Sequence, residues 1–225
     1  MSQLQLEAEI ENLGRISYID ARFDTALQLL RDNSNELITA RNLAYARSKE
    51  DSRHSLSQYG SYIKEGDVYI PNKTPQILLI RNSPLLQLEL AKEAVKAHRS
   101  GKEYSIESSL AKEYSGKSSE DQNSEVFPLT NLEAIKTNKF AEDKRALWLF
   151  QDQAENYGKF LCDSGIKEMP LWFNHERYIN SQKSIYINQL RLRSLGDRSG
   201  LLGYGRDLDF SFRVHEVSFI GETSA

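Results

Sequence analysis

Along residues 138–165 apolar side chains recur at intervals of three and four: Leu147, Phe150, Ala154, Tyr157 and Leu161. That interval places them on one helical face. Asn138 suits the N-cap, Glu142 and Asp143 suit the positive end of the helix dipole, and Gly165 suits a left-handed C-terminal stop. The pattern predicts one helix of roughly 40 Å, long enough to cross a domain. Ile16, Ile19, Phe23, Ala26 and Leu30 repeat the spacing, which predicts a helix over 4–30. Asp32, Asn33, Ser34 and Asn35 then form a turn, because short polar side chains satisfy local backbone groups. A second helix is expected from about Glu36, with Ile38, Leu43 and Ala44 among its apolar positions, fading in the polar stretch 48–57. The pair reads as an antiparallel helical hairpin.

Beyond Gly60 the period changes. Tyr62 and Ile63, Val68 to Ile70, and the apolar run Gln76 to Ile80 read as strands, with residues 72–75 as a turn. The unbroken run at 76–80 implies burial on both faces. Ser83 as N-cap, Pro84 at the first helical position and Gly101 at the C-terminal stop predict a helix between them, lined by Leu86, Leu90, Ala94 and Ala97. A further short helix is expected within 104–114.

Residues 115–125 carry no apolar side chain. Nothing there offsets the entropy of ordering, so they read as a flexible linker or loop. They divide the chain into 1–114 and 126–225, two lobes or one domain. Residues 185–195 and 208–219 alternate apolar and polar positions and predict an antiparallel β-hairpin. Between them, residues 196–206 carry Gly196, Gly200, Gly203 and Gly205 as a long hairpin loop. The expected fold class is α+β: a helical hairpin, a short β-sheet, a long amphipathic helix and a C-terminal antiparallel β-hairpin.

A net charge of −3 gives no global attraction to nucleic acid or anionic lipid. Cys162 is the one cysteine, so neither an intrachain disulfide nor a cysteine zinc site can form. It lies next to Leu161 and is expected to be an inert buried thiol. There is no basic-then-apolar leader and no run of about 18 apolar residues, so a cytoplasmic protein without a membrane partner is expected.

Sequence motifs for chemistry are weak. The glycines of 196–206 are not followed by Lys-Ser or Lys-Thr, and Leu208 stands where a dinucleotide fingerprint needs its third glycine. Asp207 and Asp209 share a strand face, but His215 lies about 20 Å further along it. His175-Glu176 is not followed by a second histidine at metalloprotease spacing. No cofactor or metal is therefore expected, and no catalytic residue is assigned. The remaining signal is Arg191, Arg193, Arg198, Arg206 and Arg213 among Tyr186, Tyr204 and Phe210. Arginine pairs with phosphate and carboxylate through parallel donors. Arg191, Arg193, Arg198, Tyr204, Arg206 and Arg213 are thus the candidate binding residues. Their partner would be anionic: nucleic acid, a nucleotide or an acidic protein segment. The amphipathic helices favour an interaction or regulatory protein that forms a homo-oligomer, most simply a dimer. Nucleic-acid binding by the C-terminal Arg/Tyr hairpin is the alternative.

Overall fold

Apolar and polar residues alternate in Gln5–Ile10, and Gly14–Ala21 follows after a turn in which Asn12 and Gly14 take positive φ. These are strands β1 and β2 of an antiparallel hairpin in the computed structural model. It describes residues 3–71, 76–106, 113–114, 123–128, 133–173, 184–195, 199–203, 208 and 212–218. The helix expected over 4–30 is therefore confined to α1, Phe23–Asp32. Ile16 and Ile19 mimicked helical spacing because β2 is covered on both sides. Ile16 packs into one core and Ile19 into the other.

After α1 and a turn with Ser34 at positive φ, the chain forms β3 (Glu36–Leu37) and α2 (Ala40–Lys49). Thr39, not a residue near Glu36, caps α2 by accepting from the Asn42 N–H. The short α3 (Ser55–Gln58) leads to β4 (Ser61–Ile70) and β5 (Gln76–Ile80), which pair antiparallel as their composition implied. Ser83 caps a 3-10 turn, Pro84–Leu86, and Gly101 sits at positive φ beyond α4, Leu88–Arg99. The expected turn at 72–75 and most of the 104–114 helix lie outside the described residues, as do 115–122 of the linker. At 124–125 the linker reading gives way to strand: β6, Ser124–Pro128, pairs with β5, so one sheet draws on both sides of that segment.

The long helix over 138–165 is broken. After β7 (Ile135–Lys136) comes a 3-10 stretch, Thr137–Glu142. Then follow α5 (Lys144–Phe150), a 3-10 turn (Gln151–Gln153) and α6 (Ala154–Asp163). Asp143, not Asn138, caps α5 through the amides of Arg145 and Ala146. Gln151 takes φ +54°, which no continuous helix allows. Of the predicted stripe, Leu147 is exposed, while Phe150, Ala154, Tyr157 and Leu161 pack inward. Gly165 does end α6 at positive φ. The stripes expected to mediate self-association are therefore absent or covered by the chain itself.

β8 (Glu168–Met169) pairs with β7 in a small two-stranded sheet. β9 (Leu171–Phe173), β10 (Tyr186–Leu192), β11 (Leu201–Gly203) and β12 (Phe212–Ser218) join the main sheet. Its order is β1-β2-β12-β4-β10-β11-β9, with β3 on β12, β5 on β4 and β6 on β5, ten strands among the described residues. The sheet is thus large and mixed, not short. Among the described residues the expected hairpin of 185–195 with 208–219 does not form: β10 and β12 lie on opposite sides of β4, and β10 pairs antiparallel with β11 instead. One edge of β4 is shared, with β12 meeting Tyr62 and β5 meeting residues 66–70. The sheet branches there. α1 and α4 cover one face, while α2, α5 and α6 cover the other. That double cover explains why central strands read as continuous apolar runs.

Gly158 on α6 faces Phe140, and a Cβ there would sit 2.5 Å from the Phe140 Cβ and 3.1 Å from the Thr137 carbonyl oxygen. Gly158→Ala should destabilise the protein by about 1–3 kcal/mol through overpacking, read from the midpoint of urea unfolding.

Candidate functional site

β2 and the start of β12 meet the start of β4, the end of β10 and the start of β11 at one end of the sheet. Three of the six predicted binding residues are described there, each against an aromatic ring. The Arg213 guanidinium lies 3.7 Å from the Tyr18 ring and 3.9 Å from the Tyr59 ring. Arg193 lies 5.1 Å over Trp172 of β9, and Arg191 lies 6.0 Å from Tyr62. Gly60 separates them: a Cβ at Gly60 would come within 3.2 Å of both the Arg191 side chain and the Arg193 Cα. Arg191 and Arg193 are consecutive alternate positions whose aromatic partners belong to different strands, so arginine–aromatic contacts recur at this end of the sheet, buried at Tyr62 and half-buried at Trp172. Arg198, Tyr204 and Arg206, like Asp197, Asp207, Asp209 and Phe210, lie outside the described residues. The expected hairpin loop over 196–206 is not a loop throughout, because Leu201–Gly203 is β11, paired with β10 and parallel to β9.

Arg213 is not free to grip an anion. Its Nη1 donates to Glu7 Oε1 at 3.0 Å, and its Nε lies 3.5 Å from Asp20 Oδ1. Glu7 reaches inward because β1 has a bulge between Leu6 and Ala8, which turns the Glu7 carboxylate under the sheet. There its side chain is 2% exposed and hydrogen-bonds His215 Nε2, while His215 is wholly buried. Burial opposes ionisation of Glu7, but the His215 hydrogen bond and the Arg213 charge outweigh it and bring its pKa down to about 2. Burial also lowers the His215 pKa, against the pull of Glu7. His215, through its hydrogen bond and charge, and the Arg213 cation together hold Glu7 as a carboxylate. The β10–β12 pairing expected for the C-terminal Arg/Tyr hairpin is absent, and Arg213 is engaged by Glu7.

The surface rests on Arg47, which is wholly buried. Its guanidinium donates to the carbonyls of Leu56 (2.8 Å), Tyr59 (2.9 Å) and Arg193 (2.9 Å), and to the Tyr157 hydroxyl (3.2 Å). It therefore fixes both Tyr59 and Arg193. Tyr59 itself is 51% exposed.

Nearby, on β4, Asp67 accepts from Asn188 Nδ2 at 3.0 Å, and burial holds its carboxyl well above the usual range despite that bond. Gly203 backs directly onto it, where any Cβ would collide with the carboxyl and with Phe173. Cys162, expected to be buried, is exposed, and its thiol donates to Thr137 Oγ1 at 3.2 Å. Trp172 and Phe173 do anchor packing, Phe173 in the core and Trp172 half-buried. Among the described residues no three or more His, Cys, Asp or Glu side chains gather as a metal site. No helix among them is long and apolar enough to cross a membrane.

The sequence pattern did not reveal Glu7, Tyr18 or Tyr59. The alternation Leu4, Leu6, Ala8, Ile10 was the available signal for a strand near Glu7. Nothing local marks Tyr59, whose role comes from Arg213, more than 150 positions away.

No protein-family model and no curated protein matches this chain. A solved structure described as showing accommodation of massive sequence variation in Nanoarchaeota by the C-type lectin fold is similar to it. The likeness covers 96% of this chain and 97% of the other, with a TM-score of 0.62 and 11% identity. At that identity the likeness establishes the fold: this chain has a C-type lectin-like α+β fold.

The buried charge cluster makes two checkable demands. Arg213→Ala leaves the Glu7 carboxylate buried without its cation and should cost about 3–5 kcal/mol in denaturant unfolding. Because the folded pKa of Glu7 lies below its ordinary 4.5, its contribution is present above pH 4.5 and lost as pH falls towards about 2. Glu7→Gln should accordingly flatten the fall in stability across that window.

Proposed function

Starting from the C-type lectin-like fold, we propose that this chain is a non-enzymatic recognition protein that binds an acidic protein segment at the arginine–aromatic end of its sheet. The observation that carries this reading is Arg193. Its guanidinium is held over Trp172 and its carbonyl is tied by Arg47, and among the described residues it pairs with no carboxylate. The half-exposed Tyr59 precedes Gly60, which packs against the Arg193 Cα, and its ring lies on Arg213. A guanidinium held over an aromatic ring, with the exposed Tyr59 at the same end of the sheet, suits a carboxylate whose neighbouring residues contribute apolar area. Pre-organisation also lowers the entropy lost on binding. The similar structure is described as a fold that accommodates massive sequence variation. A scaffold of that kind keeps its core while its surface residues change, which supports a recognition role. Arg213 positions Tyr18 and Tyr59 in this reading and leaves the anion to Arg193 and its neighbours.

Fluorescently labelled polyglutamate, titrated at low salt, tests the proposal. The unmodified protein should bind it, with affinity falling as salt rises. Arg193→Ala and Tyr59→Ala should each weaken binding about tenfold or more and leave the melting temperature nearly unchanged. A single-stranded oligonucleotide that binds more tightly than polyglutamate would move the partner to nucleic acid. Absence of binding by the unmodified protein, or indifference to both substitutions, overturns the assignment of this surface.

A further inference from the structure

A second charged group lies where the sheet branches. Glu65 on β4 is 2% exposed. Its Oε2 accepts from the Ala40 N–H, the first residue of α2, at 2.9 Å. Its Oε1 lies 4.0 Å from Arg81 Nη1. The Glu65 carbonyl accepts from the Gln189 side-chain amide at 2.9 Å, which fixes that stretch of β4 against β10. Arg81, just past β5, turns away from Glu65 towards the helical layer. Its guanidinium stacks 3.9 Å over the Trp148 ring and donates to the Leu149 carbonyl at 3.5 Å. With its amide turned so that the oxygen faces the guanidinium, the Gln151 side chain accepts from it at 3.2 and 3.3 Å. Gln151 is the residue whose positive φ breaks α5 from α6.

We propose that Glu65, Arg81 and Trp148 form a proton-operated latch, in which ionisation of Glu65 draws Arg81 away from the α5–α6 junction and protonation releases it back. The geometry requires a choice. Arg81 stands at the outer limit of an ion pair with Glu65 and in closer contact with Trp148 and Gln151, so the two sides compete for it. The groups facing Glu65 are few. They are Arg81 from β5, the Ala40 amide from α2 and Lys64 beside it on β4, whose ammonium is engaged by Glu36 at 2.6 Å. Burial pushes the Glu65 pKa up to about 7, with the Ala40 amide and the Arg81 and Lys64 charges opposing. Burial likewise lowers the Arg81 pKa, which Glu65 offsets. Since the folded pKa lies above the ordinary 4.5, the neutral carboxyl's contribution to stability is complete below pH 4.5 and is lost as pH rises through about 7. The latch therefore changes state near neutrality, and Arg81 moves towards Glu65 on the alkaline side.

Trp148 is a built-in reporter, one of two tryptophans. Its indole N–H resonance, identified by its loss in Trp148→Phe, should titrate between pH 5.5 and 8.5 (roughly one and a half units either side of the expected midpoint). The midpoint should lie near 7. Glu65→Gln should abolish that transition. Arg81→Met should also abolish the Trp148 response, since the guanidinium carries the signal, so either folded variant suffices. A Trp148 resonance that does not move, or one that titrates unchanged in Glu65→Gln or Arg81→Met, overturns the proposal. None of these readouts depends on the arginine–aromatic surface, so polyglutamate binding and the latch stand or fall separately.

Discussion

A guanidinium sealed from water, with no carboxylate beside it among the described residues, holds this molecule's parts in place. A buried charge is costly unless its hydrogen-bonding capacity is met. Arg47 meets it with three main-chain carbonyls and one phenol, drawn from the segment after α2, the end of β10 and α6. The four acceptors are fixed points on three separate parts of the fold. The end of the sheet is thereby positioned from within the core, and the exposed aromatic groups inherit that rigidity. Sites supported this way keep their geometry better than sites carried on loops alone.

The same logic extends along β4. A strand covered on both faces and paired with three others has few places for polar side chains, yet it carries Glu65 and Asp67. Both carboxyls are raised above their ordinary range chiefly by burial. They differ in their surroundings. Asp67 meets a neutral amide and the bare backbone of Gly203. Glu65 meets an amide N–H at a helix start and a cation. One is a neutral packing element, and the other sits at a point of electrostatic competition.

Much of the central architecture was legible in the sequence. The β4–β5 pair, the Ser83 cap and the Gly101 stop followed from local chemistry, although Ser83 and Pro84 open a separate 3-10 turn and the helix itself begins at Leu88. The failures share a cause. Ile16 and Ile19 on β2, and Phe150 and Ala154 on either side of Gln151, keep a three- or four-residue interval without lying on one helix. A strand buried on both faces, or two helices joined by one tight turn, reproduces that interval. The supposed C-terminal hairpin failed differently: alternation along 212–218 identified a strand but held no information on its neighbour. Long-range pairing placed β4 between β10 and β12. Arg193 and Arg213 were visible as candidates for the site, whereas Tyr59, Glu7 and Arg47 acquire their roles only through contacts distant in sequence.

The bulge that sends Glu7 inward also shapes what the outside of β1 can do. β1 ends the sheet, and an unpaired edge is a template on which another chain can extend the ladder. An extra residue interrupts the regular spacing of donors and acceptors along that edge, and the ion pair between Glu9 and Arg15 places charge beside it. The feature that completes the buried charge cluster thus also discourages edge-to-edge stacking of identical copies.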